Sequence, residues 1–334
     1  MLAINAVAQP GGAEIGLLRL LERLPHWDVT ITTPGGGALA RRAQELGAAV
    51  ERVPLGGLEA GRGARAVLSW GKVARLSRRA DVVYCNGTVA ARALPAAVGR
   101  AGRVVLHVHD LVERIGKHWN AADVVLADSQ AVADRLAPLD THVVYCPVDL
   151  QTRSAAEPPW PAGDGPVIGY VGRIEPRKGV LDLVDAAAAI KRAVPGARIV
   201  LVGDDTYAAD RRYGELVAAR TEVEHYGWID DAASLMGHLD VLVLPSYAEP
   251  FGTVLAEAMA AGTPVVATTV GGLPEVVTDG VDGALVPPGR PDAIAEGVAR
   301  VLADRPLMSA AARASATRFD VIEYAARVEE LIAP

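Results

Sequence analysis

Short runs rich in Val and Ile recur along this chain, each followed by an Ala- and Leu-rich stretch with helical spacing. That alternation leaves few folds open. In the first half the runs are Leu2–Ala8, Val29–Thr33, Val50–Val53, Asp81–Cys85, Arg103–Val108, Asp123–Ala127 and His142–Cys146. In the second they are Val167–Val171, Arg198–Val202, Val223–Tyr226, Asp240–Leu244, Pro264–Thr268 and Ala284–Val286. Strands that are apolar almost without interruption belong to parallel sheets covered by helices on both faces. Thirteen of them are too many for one common open sheet, so two Rossmann-like α/β domains are expected.

The stretch "SAAEPPWPAGDGP", Ser154 to Pro166, is dense in Pro, Gly and Ala and has no periodicity, which is linker composition. The expected division is a first domain over 1–153, a linker over 154–165 and a second domain over 166–316. The last segment, 317–334, contains an amphipathic helix from Phe319 that could cap the second domain or cross back onto the first. Ligands of open parallel sheets bind beyond the carboxyl ends of the strands, where the strand order reverses. Two such domains are expected to face each other across one cleft, with the chemistry in the loops that follow strands and hinge closure over the substrates.

Several function classes drop out on bulk properties. No run of 18 apolar residues is present, so no membrane span is expected, and the N-terminal "MLAINAVAQPGG" reads as a buried strand and glycine turn rather than a signal peptide. Cys85 and Cys146 match no metal spacing and no disulfide framework; they are expected as buried free thiols in a reducing compartment, the cytoplasm. The net charge of −7 divides unevenly, 18 basic against 15 acidic residues over 1–160 and 15 against 25 thereafter. That imbalance is too small to argue nucleic-acid binding.

The loops expected after strands carry the candidate chemistry. In "YVGRIEPRKGV", Arg173 and Lys178 precede a helix expected to open near Val180. Two cations ahead of a helix N-terminus make an anion site, and a diphosphate is the natural guest; two solvated loop cations are the plainer reading. In "EPFGTVLAE", Pro250 and Gly252 place Glu249 in a loop and Glu257 one turn inside the following helix. "AQPGGAE" brings Gly11 and Gly12 to the end of the first strand, but it is not a GxGxxG dinucleotide fingerprint. In "LHVHDL", His107 and His109 are expected to face opposite sides of the sheet or its edge, with His107 structural and His109, beside Asp110, at the carboxyl end of the strand.

In order and spacing, "GRIEPRKG", "GWIDD", "LPSYAEPFGTVLAEAMAAGTPVV" and "GGLPEVVTDG" resemble the retaining glycosyltransferases of family GT4, which have the GT-B fold of two facing Rossmann-like domains. The resemblance covers roughly Val167 to Ala303; in the first half "GGAE" and "VHDL" are the main matches. It implies a nucleoside-diphosphate sugar donor, with UDP favoured and GDP possible, and a hydroxyl acceptor. By position, Glu249 would accept hydrogen bonds from the donor sugar. Amides of Phe251, Gly252 and Thr253 would meet the sugar, those near Val254 and Leu255 the phosphates, and Glu257 the ribose hydroxyls. Arg173 and Lys178 would neutralise the diphosphate, His109 would face the sugar at its reacting end, Gly11 and Gly12 would let the first loop approach donor and acceptor, and Trp228 and Ile229 would lie beside the base. With two cations in that place no metal and no cofactor are expected.

Rival readings are a nucleotide-sugar 2-epimerase or hydrolase on the same scaffold, a catalytically silent binding subunit, and a dehydrogenase, which the absent fingerprint disfavours. The length leaves little room for large acceptor-binding insertions, which favours a small soluble sugar, cyclitol or natural product over a polymer. Residues 64–81 read as a helix with Arg65, Lys72, Arg75, Arg78 and Arg79 on one side and Val67, Trp70, Val73 and Ala74 on another. The plain reading is a solvated basic face over a core stripe; contact with an anionic membrane or an anionic acceptor are the sharper ones.

Overall fold

A computed structural model describes residues 1–56, 66–151, 157–205 and 211–334. It divides into two compact units, Met1–Pro147 with Val321–Pro334, and Val148–Asp320. In the first unit, β1 (Leu2–Ile4), β2 (Thr30–Thr33), β3 (Ala49–Arg52), β4 (Val82–Asn86), β5 (Arg103–Val108), β6 (Val124–Ala127) and β7 (Thr141–Val143) form a sheet in the order β3-β2-β1-β4-β5-β6-β7. Every pairing is parallel. In the second, β8 (Val167–Val171), β9 (Arg198–Val202), β10 (Glu224–His225), β11 (Val241–Leu244), β12 (Val265–Thr268) and β13 (Gly283–Val286) run parallel in the order β10-β9-β8-β11-β12-β13. Each strand overlaps one of the thirteen Val/Ile-rich runs.

The continuous apolarity of these strands has a direct cause. On β4, Val83 and Cys85 enter one apolar cluster while Val82 and Tyr84 enter another, because successive side chains leave opposite faces and both faces are roofed by helices. The strand order reverses between β1 and β4 in the first unit and between β8 and β11 in the second. Loops leaving those neighbouring strands are where a doubly wound sheet opens a crevice.

The division falls at Pro147 and Val148, ahead of the Pro-rich stretch. Of that stretch, residues 152–156 lie outside the described ones, and Trp160 is buried in the second unit with its ring 5.6 Å from that of Tyr226. One buried indole holds the segment to its domain, despite its linker composition. The helix Val321–Ile332 belongs to the first unit: Tyr324, Ala325, Val328 and Ile332 join the cluster around Leu17 and Leu20, and Glu329 accepts from Trp27 Nε1 at 2.8 Å. The chain therefore passes between units twice, and the two passages lie side by side, with the Val148 amide donating to Phe319 O at 2.8 Å.

The basic helix spans Ala66–Ser77; Arg65 lies outside the described residues. Its buried side is Ala66, Ser69, Val73 and Ser77, with Trp70 and Ala74 packed against the same core; of the expected stripe Val67 alone departs, 51% exposed, beside Leu68 at 87%. The 3–4–4 spacing of the small residues selects the packed face. Lys72 pairs with Glu51 at 2.6 Å, and Arg75, Arg78 and Arg79 are exposed. Among the described residues no helix is long and apolar enough to cross a membrane.

Candidate active site

Residues beyond the ends of β1, β4, β5 and β6 build a polar cluster in the first unit. His109 follows β5, and Asp128 follows β6, its hydrogen-bonded neighbour. His109 Nδ1 lies 2.8 and 2.9 Å from the two Asp128 carboxylate oxygens. Its Nε2 lies 2.7 Å from Asn86 Oδ1. The amide of Asn86 is oriented by its own donors, since Nδ2 donates to Asn5 Oδ1 at 2.9 Å and reaches the Ala13 carbonyl at 3.4 Å. With Oδ1 facing the imidazole, both ring nitrogens of His109 act as donors, which requires the imidazolium. Burial pulls the His109 pKa down, but Asp128, then Glu14 and Asp110, outweigh it and raise it. Asp128 is held well below the usual carboxylate range: burial alone would raise it, and the two histidines reverse that.

His107 requires a correction. Residues two apart on a strand share a face, so His107 and His109 lie together, with ring centroids 4.0 Å apart. His107 Nδ1 meets Tyr84 Oη at 2.5 Å. Its Nε2 lies 3.0 Å from Asp128 Oδ1 but off the line of a hydrogen bond. Burial, then the neighbouring His109, push its pKa down to about 4. Asp110, the sequence neighbour, instead accepts from Thr88 Oγ1 at 2.9 Å. His107, His109 and Asp128 are the group of metal-ligand type among the described residues, with one ligand atom each within 4.8 Å of one another. Those of His109 and Asp128 already serve each other as hydrogen-bond partners, so an incoming cation would have to displace that bond.

On the β1 side, Gly11 precedes the helix Gly12–Glu22, and Glu14 accepts the Gly11 amide at 2.9 Å. Glu14 is buried, and burial raises its pKa. Gly11 and Gly12 are exposed, and a Cβ added at Gly12 would meet nothing within 4 Å. The fold itself does not demand glycine there.

In the second unit the loops after β8 and β11, adjacent strands at the reversal of strand order, are laced together. The Tyr247 amide donates to Arg177 O at 2.8 Å, and Arg177 donates to Ala248 O at 2.7 Å and Glu175 Oε1 at 2.7 Å. Gly179 sits at φ 64°, and a Cβ there would lie 2.0 Å from Pro245 O, so only glycine lets the two loops approach. The approach puts Lys178 Nζ 2.5 Å from Glu249 Oε2, which Ser246 Oγ also meets at 3.3 Å. Both side chains are largely buried, 13% and 9% exposed. Arg173, on the same loop, is 46% exposed, 3.6 Å from Glu175. Arg177, absent from the sequence expectations, lies 3.8 Å from Glu249. Its signal was a third cation in "GRIEPRKG".

Glu249 lies in the loop before the helix Thr253–Ala260, and Glu257 is half-buried one turn inside it. Gly252 caps that helix at φ 94°, with no side-chain cap on its first amides. The Leu255 amide donates to Gly252 O at 2.9 Å, so of the amides expected to face a ligand this one is spent within the turn. The Phe251 side chain is in the core, its ring 5.2 Å from that of Phe319. The Gly272 amide donates to Glu249 O at 3.0 Å, which ties the loop after β12 to the same place. Trp228 is 47% exposed, with its indole N–H on Asp230 at 3.0 Å, and Ile229 is half-buried beside it. Two cations, a carboxylate and uncapped helix amides can together hold an anion flanked by hydroxyl groups.

Comparison with known proteins points the same way. The family described as "Glycosyltransferase Family 4" matches residues 10–152, and "Glycosyl transferases group 1" matches residues 165–304. An uncharacterized glycosyltransferase of Methanocaldococcus jannaschii is 41% identical over 42% of this chain and 37% of its own length. D-inositol 3-phosphate glycosyltransferase of Segniliparus rotundus is 34% identical over 50% of this chain and 39% of its own length. The chain thus spans well under half the length of these two relatives. Among solved structures, Anabaena HepE in complex with UDP and glucose superposes with a TM-score of 0.81 at 26% identity, covering 98% of each chain. Sucrose-phosphate synthase of Thermosynechococcus elongatus gives 0.78 at 25% identity, over 99% of this chain and 97% of that one.

Proposed function

On the premise that this chain belongs to the family-4 glycosyltransferases and has their GT-B fold, we propose that it transfers a glycosyl group from a UDP-sugar to an acceptor hydroxyl, with retention and without a metal. The observation that carries the reading is Lys178 held 2.5 Å from Glu249 beside the uncapped start of the helix Thr253–Ala260. UDP is favoured because HepE, 26% identical, was crystallised with UDP and glucose.

The second unit binds the donor. Arg173 and Lys178 take the diphosphate, Glu249 the sugar hydroxyls, and Glu257 the ribose. Amides of Phe251, Gly252, Thr253 and Val254 complete the cradle, with Trp228 and Ile229 at the base. In the first unit His109 serves the reacting end of the sugar, with Gly11 and Gly12 leaving room at the first loop. The bond from the anomeric carbon to the phosphate oxygen breaks as the bond to the acceptor oxygen forms on the same face. The acceptor proton passes to the departing phosphate, so the protein's task is to position both partners and stabilise charge on the leaving diphosphate. The acceptor is a small sugar, cyclitol or natural product, and the buried cysteines Cys85 and Cys146, neither in a disulfide, suit a reducing, cytoplasmic setting.

The test is incubation with nucleoside-diphosphate sugars and an acceptor panel, followed by NMR of the anomeric proton. An α-donor is expected to yield an α-linked product, in EDTA as well as without it. An inverted product overturns retention, free or epimerised sugar without acceptor favours the hydrolase or epimerase, and activity lost in EDTA and restored by Mn²⁺ overturns metal independence. Peripheral membrane contact rests on Leu68 and Val67, exposed on the helix that carries Lys72 and Arg75. Cosedimentation with anionic vesicles at low salt is expected, and its absence removes the idea.

A further inference from the structure

Behind His109 the first unit buries a line of polar groups that glycosyl transfer does not use. Tyr84 on β4 and His107 on β5 lie on the same side of the sheet, on paired strands, and the Tyr84 hydroxyl meets His107 Nδ1 at 2.5 Å. Asp128, beyond β6, brings Oδ1 to 3.0 Å from His107 Nε2. The helix Val321–Ile332 covers that side, and its Tyr324 hydroxyl is hydrogen-bonded to that of Tyr84. Tyr84, His107 and Asp128 are each at most 4% exposed, and Tyr324 is 7% exposed. We propose that Tyr324 and Tyr84 are positioning residues for His109: they anchor a one-way hydrogen-bond chain that runs from the helix through His107 to Asp128 and holds that carboxylate against the His109 ring. The kinetic consequence rests on the glycosyltransferase reading; the chain itself stands on its geometry.

The direction of the chain follows from counting hydrogens. The rings of His107 and His109 have centroids 4.0 Å apart, and two imidazolium ions at that separation repel. With the charge on His109, the buried His107 is neutral and carries one N–H. Its Nε2 faces a carboxylate, which offers only lone pairs, so a bare nitrogen there would set lone pair against anion. The hydrogen therefore sits on Nε2, although its approach to Asp128 is off the line of a full hydrogen bond. Nδ1 is then an acceptor, and Tyr84 donates to it. That spends the one hydroxyl hydrogen of Tyr84, so Tyr84 Oη accepts from Tyr324. Burial raises the pKa of both phenols, which keep their protons. Reversing a link sets two lone pairs face to face, and burial makes that mismatch costly.

What the chain fixes is the angle of Asp128. Its two oxygens lie 2.8 and 2.9 Å from His109 Nδ1, and a turn of the carboxylate would spoil both contacts. His107, on the other flank of Oδ1, restrains that turn, and Tyr84 holds the His107 ring edge-on, at an interplanar angle of 88°. Tyr324 stands four residues beyond Asp320, where the chain passes back to the first unit. The returning helix thus reaches the histidine assigned to the sugar's reacting end. An orientation used at the reacting centre is felt in kcat more than in KM.

The experiment uses the full chain and compares Tyr84→Phe, Tyr324→Phe, the double variant and Val328→Ala, a packing change in the same cluster that removes no hydroxyl. Ring ¹⁵N spectra are recorded without ligand, and kinetics with a nucleotide sugar and acceptor that the wild type turns over. His107 is expected to carry its hydrogen on Nε2. Tyr84→Phe should move the His107 Nδ1 signal to that of a free nitrogen, shift both His109 ring signals, and lower kcat by about three- to tenfold with KM within about twofold. Tyr324→Phe should move the same signals less and cost about two- to threefold in kcat. The double variant should match Tyr84→Phe alone, because the Tyr324 hydroxyl acts through that of Tyr84. Val328→Ala should lower Tm and leave the ring signals and kcat in place. The proposal is overturned if His107 carries its hydrogen on Nδ1, if the two Phe effects simply add, or if Val328→Ala reproduces them. Ring signals that move as described in a chain that turns over no nucleotide sugar would remove the glycosyltransferase reading and leave the chain of hydrogen bonds; turnover with ring signals that neither Phe variant moves would remove the positioning chain alone.

Discussion

The two candidate sites hold their charges in opposite ways. In the first unit His109 is saturated: Asp128 takes one ring nitrogen, Asn86 the other, and Asn86 is itself pinned by Asn5 and the Ala13 carbonyl. In the second, the Lys178 ammonium meets Glu249, one of the groups assigned to the ligand, and Arg173 reaches a carboxylate only at 3.6 Å while half its side chain is exposed. The first arrangement fixes a charge state and an orientation before any ligand arrives. The second stores charges in pairs that a diphosphate and a sugar can exchange. Preorganised dipoles and exchangeable ion pairs are both routes to charge stabilisation, but they respond differently to mutation.

The largest effect is expected from Glu249→Ala. It removes the sugar contact and leaves Lys178 without its partner at 13% exposure. Breaking a buried pair costs about 3–5 kcal/mol of stability, which lowers Tm, and the lost charge-assisted sugar contact, up to about 3 kcal/mol, should lower kcat/KM by about 100-fold. The double variant with Lys178→Ala should be clearly less damaged than the sum of the singles. Arg173→Ala comes next, about 10- to 100-fold in kcat/KM with little change in Tm, because it loses one charge-assisted contact from an exposed side chain.

Asp128→Asn should cost about tenfold in kcat, an effect of about 1.4 kcal/mol, and it carries a sign. Asp128 raises the His109 pKa, so its removal should move the alkaline limb of the pH–rate profile to lower pH, and ring ¹⁵N shifts should show the imidazolium lost earlier on the same scale. A structural role alone would lower Tm and leave the profile in place. The smallest effect is on stability in acid. His107 is neutral in the fold, with its pKa pushed down to about 4 by burial and by His109. Its contribution is complete above the ordinary histidine value of about 6.5 and is lost as pH falls from there toward about 4. His109 moves in the other direction, its contribution present below about 6.5 and lost as pH rises through its folded value, so it does not offset the decline in acid. His107→Asn should flatten that decline in Tm.

The same contrast separates what the sequence disclosed from what it did not. Strands buried on both faces announce themselves in any window, and each of the thirteen Val/Ile-rich runs overlaps a strand. Glu249 and Glu257 were placed by a proline, a glycine and the start of a helical period, all local signals. Asp128 had no local signal. It is one carboxylate among many, and its role comes from β6 lying next to β5 in the sheet. Lys178 and Glu249 are 71 residues apart, and their pairing follows from β8 and β11 becoming neighbours. His107 was misplaced through strand parity, which a two-residue period settles once the strand is fixed. The helix Ala66–Ser77 keeps Trp70, Val73 and Ala74 of the expected stripe against the core, and only Val67 falls outside the packed face. The Pro-rich stretch looked like a boundary by composition, and a single buried indole at Trp160 outweighed it.

Calorimetric titration of UDP-glucose and UDP into the wild-type chain, Lys178→Ala and Glu249→Ala reaches the heart of the account. Saturable binding is predicted in the wild type, with Lys178→Ala weakening both ligands by about tenfold or more and Glu249→Ala weakening UDP-glucose far more than UDP. Absence of binding by every nucleoside-diphosphate sugar, or a Kd that neither substitution moves, would contradict it.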